Sequence, residues 1–518
     1  MNLQHQGLPA RTPQPGPRLP ASGTTVPFVP SEPLVRSTGS GEVAFPPGFL
    51  WGTATAAFQI EGAAAEGGRQ DSIWDAFARV PGAVKNGDDG SVACDHYHRY
   101  ADDVALMADL NLGAYRFSTS WARVRPGGGA PNPEGVDFYS RLVDELLGRG
   151  IVPWLTLYHW DLPQALEEKG GWRNRDTAYR FVDYAMTMHE ALGDRVRVWT
   201  TLNEPWCSSF LSYTGGEHAP GGHSRTDGVH AGHHLLLAHG LATQALREAD
   251  PEAALGITLN FTVADPVDPQ DPADVEAARR EDAIFNRFFL DPIFAGAYAP
   301  DVVELLEPYG LGDVVQDGDL EVISTPLDAL GVNYYNGAAL SGHPAPSDDA
   351  ATGPSGATPP RPEGEHWTQA PTPVPEGVHH RSRGLPRTAM GWEVQPEGLT
   401  RLLLRLQQDY TGPRGVALYV TENGAAYDDE PDETGFVDDQ DRLAFIDLHL
   451  RAVKDAVDAG ADVRGYFAWS LMDNFEWAHG YDKRFGIVRV DYETLERTVK
   501  ASGRWYGQVA ATGVVPAR

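Results

Sequence analysis

The stretch VRVWTTLNEPW, Val196–Trp206, begins as an apolar run and ends on an acid. Val196 to Leu202 reads as a buried strand, because β-branched and aromatic side chains suit a pleated surface covered on both faces. Asn203, Glu204 and Pro205 close it. A carboxylate is costly to bury unless it is paired, hydrogen-bonded or used. Glu204 therefore marks the end of this strand as a place to look for chemistry.

Seven runs of the same kind accompany it. They are FLWGTAT (Phe49–Thr55), AYRFSTSW (Ala114–Trp121), IVPWLTLYHW (Ile151–Trp160), ALGITLNF (Ala254–Phe261), LDALGVNYY (Leu327–Tyr335), VALYVTENG (Val416–Gly424) and VRGYFAWSLMDN (Val463–Asn474). Helical periodicity lies between them. In VDFYSRLVDELLGRG, Tyr139, Leu142, Val143, Leu146 and Leu147 share a face, and Gly148 or Gly150 ends the helix. In DHYHRYADDVALMADL, Tyr97, Tyr100, Val104 and Met107 do the same, with Asp95 as the expected N-cap. Eight such runs alternating with helices predict an α/β fold, a (β/α)8 TIM barrel forming a single domain over residues 45–511. A doubly wound sheet is the alternative, but no Gly-rich nucleotide loop follows any of these runs.

The flanks read differently. Residues 1–44 are rich in Pro, Gly, Ser and Thr and read as a disordered extension. Residues 341–386 repeat that composition and read as a long Pro-rich loop after the sixth strand. Residues 512–518 form a short tail.

Composition excludes several partners. The 518 residues carry 41 basic and 72 acidic side chains, a formal charge of −31, which disfavours nucleic acid and anionic membrane surfaces. No run of 18 or more apolar residues predicts a membrane span. Two cysteines and a polar N-terminus without a secretory apolar segment suit a soluble protein of the reducing cytoplasm.

In a barrel of this type functional groups gather at the C-terminal ends of the strands. Those ends supply, in order, Gln59, Arg116, His159-Trp160-Asp161, Asn203-Glu204, Asn333-Tyr334-Tyr335, Glu422-Asn423 and Trp469. Hydrogen-bonding groups mixed with aromatic faces are what a sugar pocket needs. Glu204 and Glu422, on the fourth and seventh strands, can both face the barrel axis. Two carboxyls flanking a glycosidic bond are what its hydrolysis requires.

The surrounding motifs resemble glycoside hydrolase family 1, the β-glucosidase family. In order they are FQIEG (Phe58–Gly62), GRQDSIWDAF (Gly68–Phe77), CDHYHRY (Cys94–Tyr100), YRFSTSWARVRP (Tyr115–Pro126), YHWDLP (Tyr158–Pro163) and TLNEPW (Thr201–Trp206). LGVNYY (Leu330–Tyr335), MGWEVQPEGL (Met390–Leu399), VTENG (Val420–Gly424) and DNFEWAHGYDKRFGIVRVD (Asp473–Asp491) follow. The resemblance implies a retaining mechanism, with Glu204 as acid/base and Glu422 as nucleophile, and a carboxyl separation of about 5 to 5.5 Å. Arg116 and Tyr335 match residues that contact the nucleophile, with Asn333 supporting them. Gln59, His159, Asn203, Glu476 and Trp477 match those that hold the sugar, Trp160 and Trp469 its walls, and Trp206 and Trp392 the aglycone side. No metal or cofactor is implied.

The expected partner is a small β-glycoside or oligosaccharide, with a β-glucoside favoured and a galactoside, fucoside or broader glycone as the alternative. A 6-phosphoglucoside is disfavoured, because the Glu476 carboxylate would repel a phosphate. An inactive sugar-binding relative would usually lack one of the two acids.

Other signals point to nothing further. Cys94, His96 and His98, and His230, His233, His234 and His239, have the look of metal ligands, but they match helix-forming segments that bind no metal in the family. The sequon Asn260-Phe261-Thr262 closes a predicted buried strand.

Overall fold

The computed structural model describes residues 40–344 and 375–518. Most of the predicted extension, residues 1–39, and the middle of the predicted loop, residues 345–374, lie outside the described residues.

Eight parallel strands close into a barrel: β1 (Leu50–Ala54), β2 (Ala114–Ser118), β3 (Val152–Tyr158), β4 (Val198–Asn203), β5 (Ala254–Phe261), β6 (Ala329–Tyr334), β7 (Ala417–Asn423) and β8 (Val463–Trp469). Each pairs with its sequence neighbour, and β8 pairs with β1 to close the ring. All eight predicted runs contain their strand. They read as continuous apolar stretches because the barrel interior covers one face and the helices cover the other.

The interior is filled from several strands. Trp154, Tyr419 and Phe467, from β3, β7 and β8, meet edge to face at 4.8 and 5.2 Å between ring centres. Trp154 is in register with Arg116, which places the guanidinium on the same inner face as this aromatic plug.

The helix α1 (His96–Asp109) follows the first strand and α2 (Pro133–Gly148) the second. Their inward faces are those the periodicity indicates, with two corrections. Leu147 is 40% exposed, since a 100°-wide stripe ends before it. Asp95 stands at the N-cap position but takes a left-handed φ of 54° and caps no helix N–H. Its carboxylate instead accepts from His98 and Arg99.

The barrel's ends are tied together. Val43–Ala44 pairs with Val514–Val515, so the last residues of the predicted extension and the C-terminal tail form a small antiparallel sheet. Within the predicted loop 341–386, His379–Arg381 is a strand paired with Ala338–Ser341, next to Ala264–Pro266. Main-chain pairing with an adjacent edge overrides the Pro-rich composition there.

The loop after β8 is held by a buried ion network. Lys500 Nζ lies 2.6 Å from Asp429 and 2.8 Å from Asp473. Arg442, at the start of the helix Gln440–Asp458, reaches Asp429 and Asp439, and Arg484 reaches Asp473. Asp473 also accepts the Gly486 N–H. Lys500→Met removes one cation and leaves Asp429 and Asp473 buried with less compensation. Loss of one partner of a buried ion pair typically costs about 3–5 kcal/mol. We expect that order of loss in a denaturant titration.

Candidate active site

Two carboxyls face each other at the C-terminal mouth of the barrel, carried there by irregular strand ends. The β6–β7 ladder slips between Val420 and Glu422, and the β4–β5 ladder slips between Thr200 and Asn203. Such slips re-aim side chains at barrel rims. Glu204 itself takes φ of 47°, and its N–H donates to the Thr258 carbonyl at 3.0 Å. The chain then widens into a π-helix, Cys207–Gly215.

Glu422 is 3% exposed and accepts two hydrogen bonds. Arg116 Nη1 donates to Oε1 at 2.6 Å, and the Tyr335 hydroxyl donates to Oε2 at 2.7 Å. The other arm of Arg116 donates to Asn203 Oδ1 at 2.6 Å. With its oxygen engaged, Asn203 turns Nδ2 to His159 Nε2 at 3.0 Å. That bond assigns Nε2 as an acceptor and leaves the proton of the neutral ring on Nδ1. Burial, reinforced by the Arg116 charge, pushes the His159 pKa well down, so the ring is neutral.

Glu204 has a different setting. Asn333 Nδ2 donates to its Oε1 at 2.6 Å, and the Cys207 thiol donates to Oε2 at 3.1 Å. Asn333 is itself oriented by Thr421, whose hydroxyl donates to Oδ1 at 2.8 Å. Among the described residues no cation bonds Glu204. Burial and then the nearby Glu422 charge push its pKa up to about 8. Burial also raises Glu422, but Arg116 and Tyr335 oppose it and favour its ionised form.

A cleft of about 880 Å3 opens over the pair. His159, Trp160, Asn333, Tyr335, Trp469, Glu476 and Trp477 line it together with both carboxyls. Trp160 and Trp477 pack 4.5 Å apart, and both hold left-handed backbone angles, 78° and 50°. Trp206 packs on Phe285 at 4.3 Å, and Trp392 on Tyr335 at 5.3 Å, so both expected aglycone-side tryptophans also line the cleft. Their indole N–H groups have no protein acceptor among the described residues.

Gln59, Arg116 and Asn203 are completely or almost completely buried and bonded to residues of the wall. Gln59 Nε2 donates to the Phe475 carbonyl at 2.8 Å, to Asn474 at 3.0 Å and to Glu476 at 3.3 Å, and its Oε1 has no partner among the described residues.

Glu476 corrects one expectation. Burial, with Glu422 nearby, raises its pKa to about 8, so it holds a proton at neutral pH rather than presenting a fixed negative charge. The cleft lining contains no Lys or Arg among the described residues, so it offers no cation to a phosphorylated sugar.

Sequence reasoning missed Cys207, His218, Asn260 and Phe285, all of which line the cleft. Cys207 could have been found from its place three residues after Glu204 on a helical turn. Asn260, read only as part of a sequon, points its amide at the Cys207 sulfur, 3.7 Å away.

The histidines with the look of metal ligands diverge. His96 pairs with Asp103, His233 with Asp319, His234 with the Trp172 carbonyl and His239 with Thr201. Among the described residues one group, Asp271, Asp274 and His343, brings three possible ligand atoms within 4.8 Å, away from the cleft. The Asp274 oxygens already accept from Ser341, Gly342 and Asp268.

A (β/α)8 barrel holding two buried, differently supported carboxyls beneath aromatic walls is the frame of a glycosidase. The family model described as Glycosyl hydrolase family 1 matches residues 42–514, and the chain belongs to that family. It is 49% identical to thermostable beta-glucosidase B of Thermobispora bispora over 91% of this chain and 92% of the relative. It is 47% identical to a bifunctional beta-D-glucosidase/beta-D-fucosidase of Bifidobacterium breve, over 90% and 98%. The crystal structure of a psychrophilic beta-glucosidase from Micrococcus antarcticus superposes with a TM-score of 0.86 at 56% identity, covering 91% of this chain and 98% of that one. The chain is thus a glycoside hydrolase.

The thiol on Glu204 has a measurable effect. A hydrogen bond to a carboxylate favours its ionised form, so Cys207→Ala should raise the Glu204 pKa. The rise should be about 0.7 in pKa, given a net hydrogen bond near 1 kcal/mol and 1.36 kcal/mol for each tenfold change. Cys207→Ser, which keeps a donor, should hold it near the wild-type value. NMR titration of carboxyl-labelled glutamate reads both.

Proposed function

We propose that this chain is a retaining β-glucosidase that removes terminal β-D-glucosyl residues from small β-glucosides, cellobiose among them. The observation that carries the reading is the unequal support of the two acids. Glu422 is held by a guanidinium and a phenol, and Glu204, among the described residues, by two neutral donors. Environments that push two carboxyl pKa values apart assign the acid and the nucleophile.

In the first step the Glu422 carboxylate attacks the anomeric carbon while Glu204 gives its proton to the glycosidic oxygen. The aglycone leaves with that proton, and a glycosyl–Glu422 ester remains. In the second step Glu204, now a carboxylate, takes a proton from water. The water oxygen bonds to the anomeric carbon and Glu422 is released. Asn333 donates to Glu204 and stands in register with Glu422 on the neighbouring strand, which supports the closer of the two separations used by glycosidases, at which the second carboxyl bonds the sugar directly. Asn203 would bond the 2-hydroxyl, and Gln59, His159 and Glu476 the remaining hydroxyls, with Trp160, Trp469 and Trp477 as walls.

The absence of Lys and Arg from the described cleft lining favours an uncharged sugar. The Bifidobacterium breve relative, named for both activities, supports β-fucoside as a second substrate. Two buried free thiols suit a reducing cytoplasm. No described helix is long and apolar enough to cross a membrane.

The first sugar released should keep the β configuration, seen by following the anomeric proton during hydrolysis. Release of the α anomer would overturn the mechanism. Glu422→Ala should lose turnover of every glycoside. Glu204→Ala should slow poor leaving groups by about 10²–10⁴ and spare the first step on a dinitrophenyl glucoside. The dependence of kcat/KM on pH should fall on the alkaline side near pH 8, as Glu204 loses its proton, and on the acid side as Glu422 gains one. Rates on aryl glucoside, fucoside, galactoside and 6-phosphoglucoside should rank the glucoside first and the phosphate last.

A further inference from the structure

A second hollow, of about 310 Å3, lies beside the catalytic cleft, and the two share Asn336 and Trp392. Its composition is the reverse of the cleft's. Arg381, Arg383 and Arg387 line it, and Glu393 is the one carboxylate among its lining residues. His380, also there, is neutral, because burial lowers its pKa to about 4.

The hollow is built from ordered elements. Arg387 and Glu393 face each other across a short hairpin in which Thr388 N–H donates to the Trp392 carbonyl at 2.9 Å. Gly391 makes the turn with φ of 80°, a left-handed angle that favours glycine. Arg381 comes from the strand paired with Ala338–Ser341.

The cations outnumber their partners. Arg383 is committed: it lies 3.0 Å from Asp265, which Arg401 also holds at 2.7 Å, and 3.5 Å from Glu393. Arg387 is 3.8 Å from Glu393, beyond hydrogen-bond distance, and donates to the Ser382 hydroxyl. Arg381 donates to the main-chain carbonyls of His380 and His343 and meets no carboxylate among the described residues. Among the described residues two guanidiniums therefore meet no carboxylate at hydrogen-bond distance, beside the cleft of a chain whose net charge is −31.

We propose that this hollow binds a carboxylate carried on an aromatic aglycone, seated past Trp392 while the sugar occupies the acid-lined end. The proposal rests on the glucosidase reading, which puts the leaving group on the Trp392 side. Guanidinium groups match a carboxylate's geometry, and the indole between the two hollows suits an aryl spacer. Cations at one end and acids at the other also fix the substrate's direction, since the reversed pose would bring two carboxylates together.

The test uses paired β-glucosides. The aglycones are 4-carboxyphenyl and 4-(2-carboxyvinyl)phenyl, each as the free acid and as its methyl ester. Acid and ester differ in leaving-group acidity, so the readout is the change in their kcat/KM ratio between proteins. In Arg381→Gln/Arg387→Gln the acid-to-ester ratio should fall about fivefold at one length or both, through KM, and wild type in 0.5 M NaCl should show a partial fall. Glu393→Gln, which removes the opposing charge, should move the ratio the other way. An unchanged ratio in both variants at both lengths overturns the proposal.

Ester turnover reports the glucosidase reading separately. Should no ester be hydrolysed, that reading fails, and calorimetric binding of the same acid and ester pairs to wild type and variants decides whether the hollow holds the carboxylate. Tighter binding of the acid that is lost in the double variant supports it, and equal binding of acid and ester overturns it.

Discussion

Arg116 is 1% exposed and carries a full positive charge beneath a cleft that holds three carboxyls, Glu204, Glu422 and Glu476. A guanidinium stays charged at any working pH, so burial does not silence it. One arm fixes Glu422 and favours its ionised form. The other takes the oxygen of Asn203, which forces the amide nitrogen toward His159 and so sets the tautomer of that ring. A single cation thereby orients an acid, an amide and an imidazole from three other strands. Lysine would offer one point charge and could not make the two parallel commitments.

The barrel supplies the rigidity this arrangement needs. Left-handed backbone at Trp160, Glu204 and Trp477 costs of order 1–3 kcal/mol at each residue and persists only where surrounding structure over-determines it. Here the surroundings do so. Trp160 Nε1 donates to the Asn203 carbonyl at 2.9 Å, the Glu204 N–H is held by Thr258, and Trp477 is packed between Trp74 and Trp160. At Gly424 any side chain would collide with the Trp469 carbonyl, so the strand carrying Glu422 can approach its neighbour only because Cβ is missing there. The ion network around Lys500 and Asp473 does the same work for the loop bearing Glu476.

Much of this was legible in the sequence because it depends on periodicity and strand ends. The eight apolar runs gave the barrel, and polar residues at their C-terminal ends gave Arg116, Asn203, Glu204 and Glu422. What was not legible depends on neighbours distant in sequence. Cys207 matters only because a turn after Glu204 brings its sulfur back to the carboxylate. The expected cap at Asp95 failed because His98 and Arg99 compete for the same oxygens. Ser341 and His379–Arg381 read as loop because a strand of three or four residues on a sheet edge needs no apolar pattern of its own. Glu476 looked like a fixed charge, and its proton follows from two other acids that sequence places 54 and 272 positions away.

That proton bears on how the cleft treats its substrate. With one buried guanidinium among three carboxyls, ionising all three would leave a net negative charge in a water-poor cavity, which low dielectric makes costly. Ionisation is therefore concentrated on the acid that Arg116 touches, and the other two hold protons near neutrality. Protonated Glu204 has a proton ready to give, and protonated Glu476 can both donate to and accept from a hydroxyl. The remaining negative charge sits on Glu422, beside the guanidinium that offsets it. Beyond Trp392 the balance reverses: among the described residues the neighbouring hollow is lined by three guanidiniums and one carboxylate.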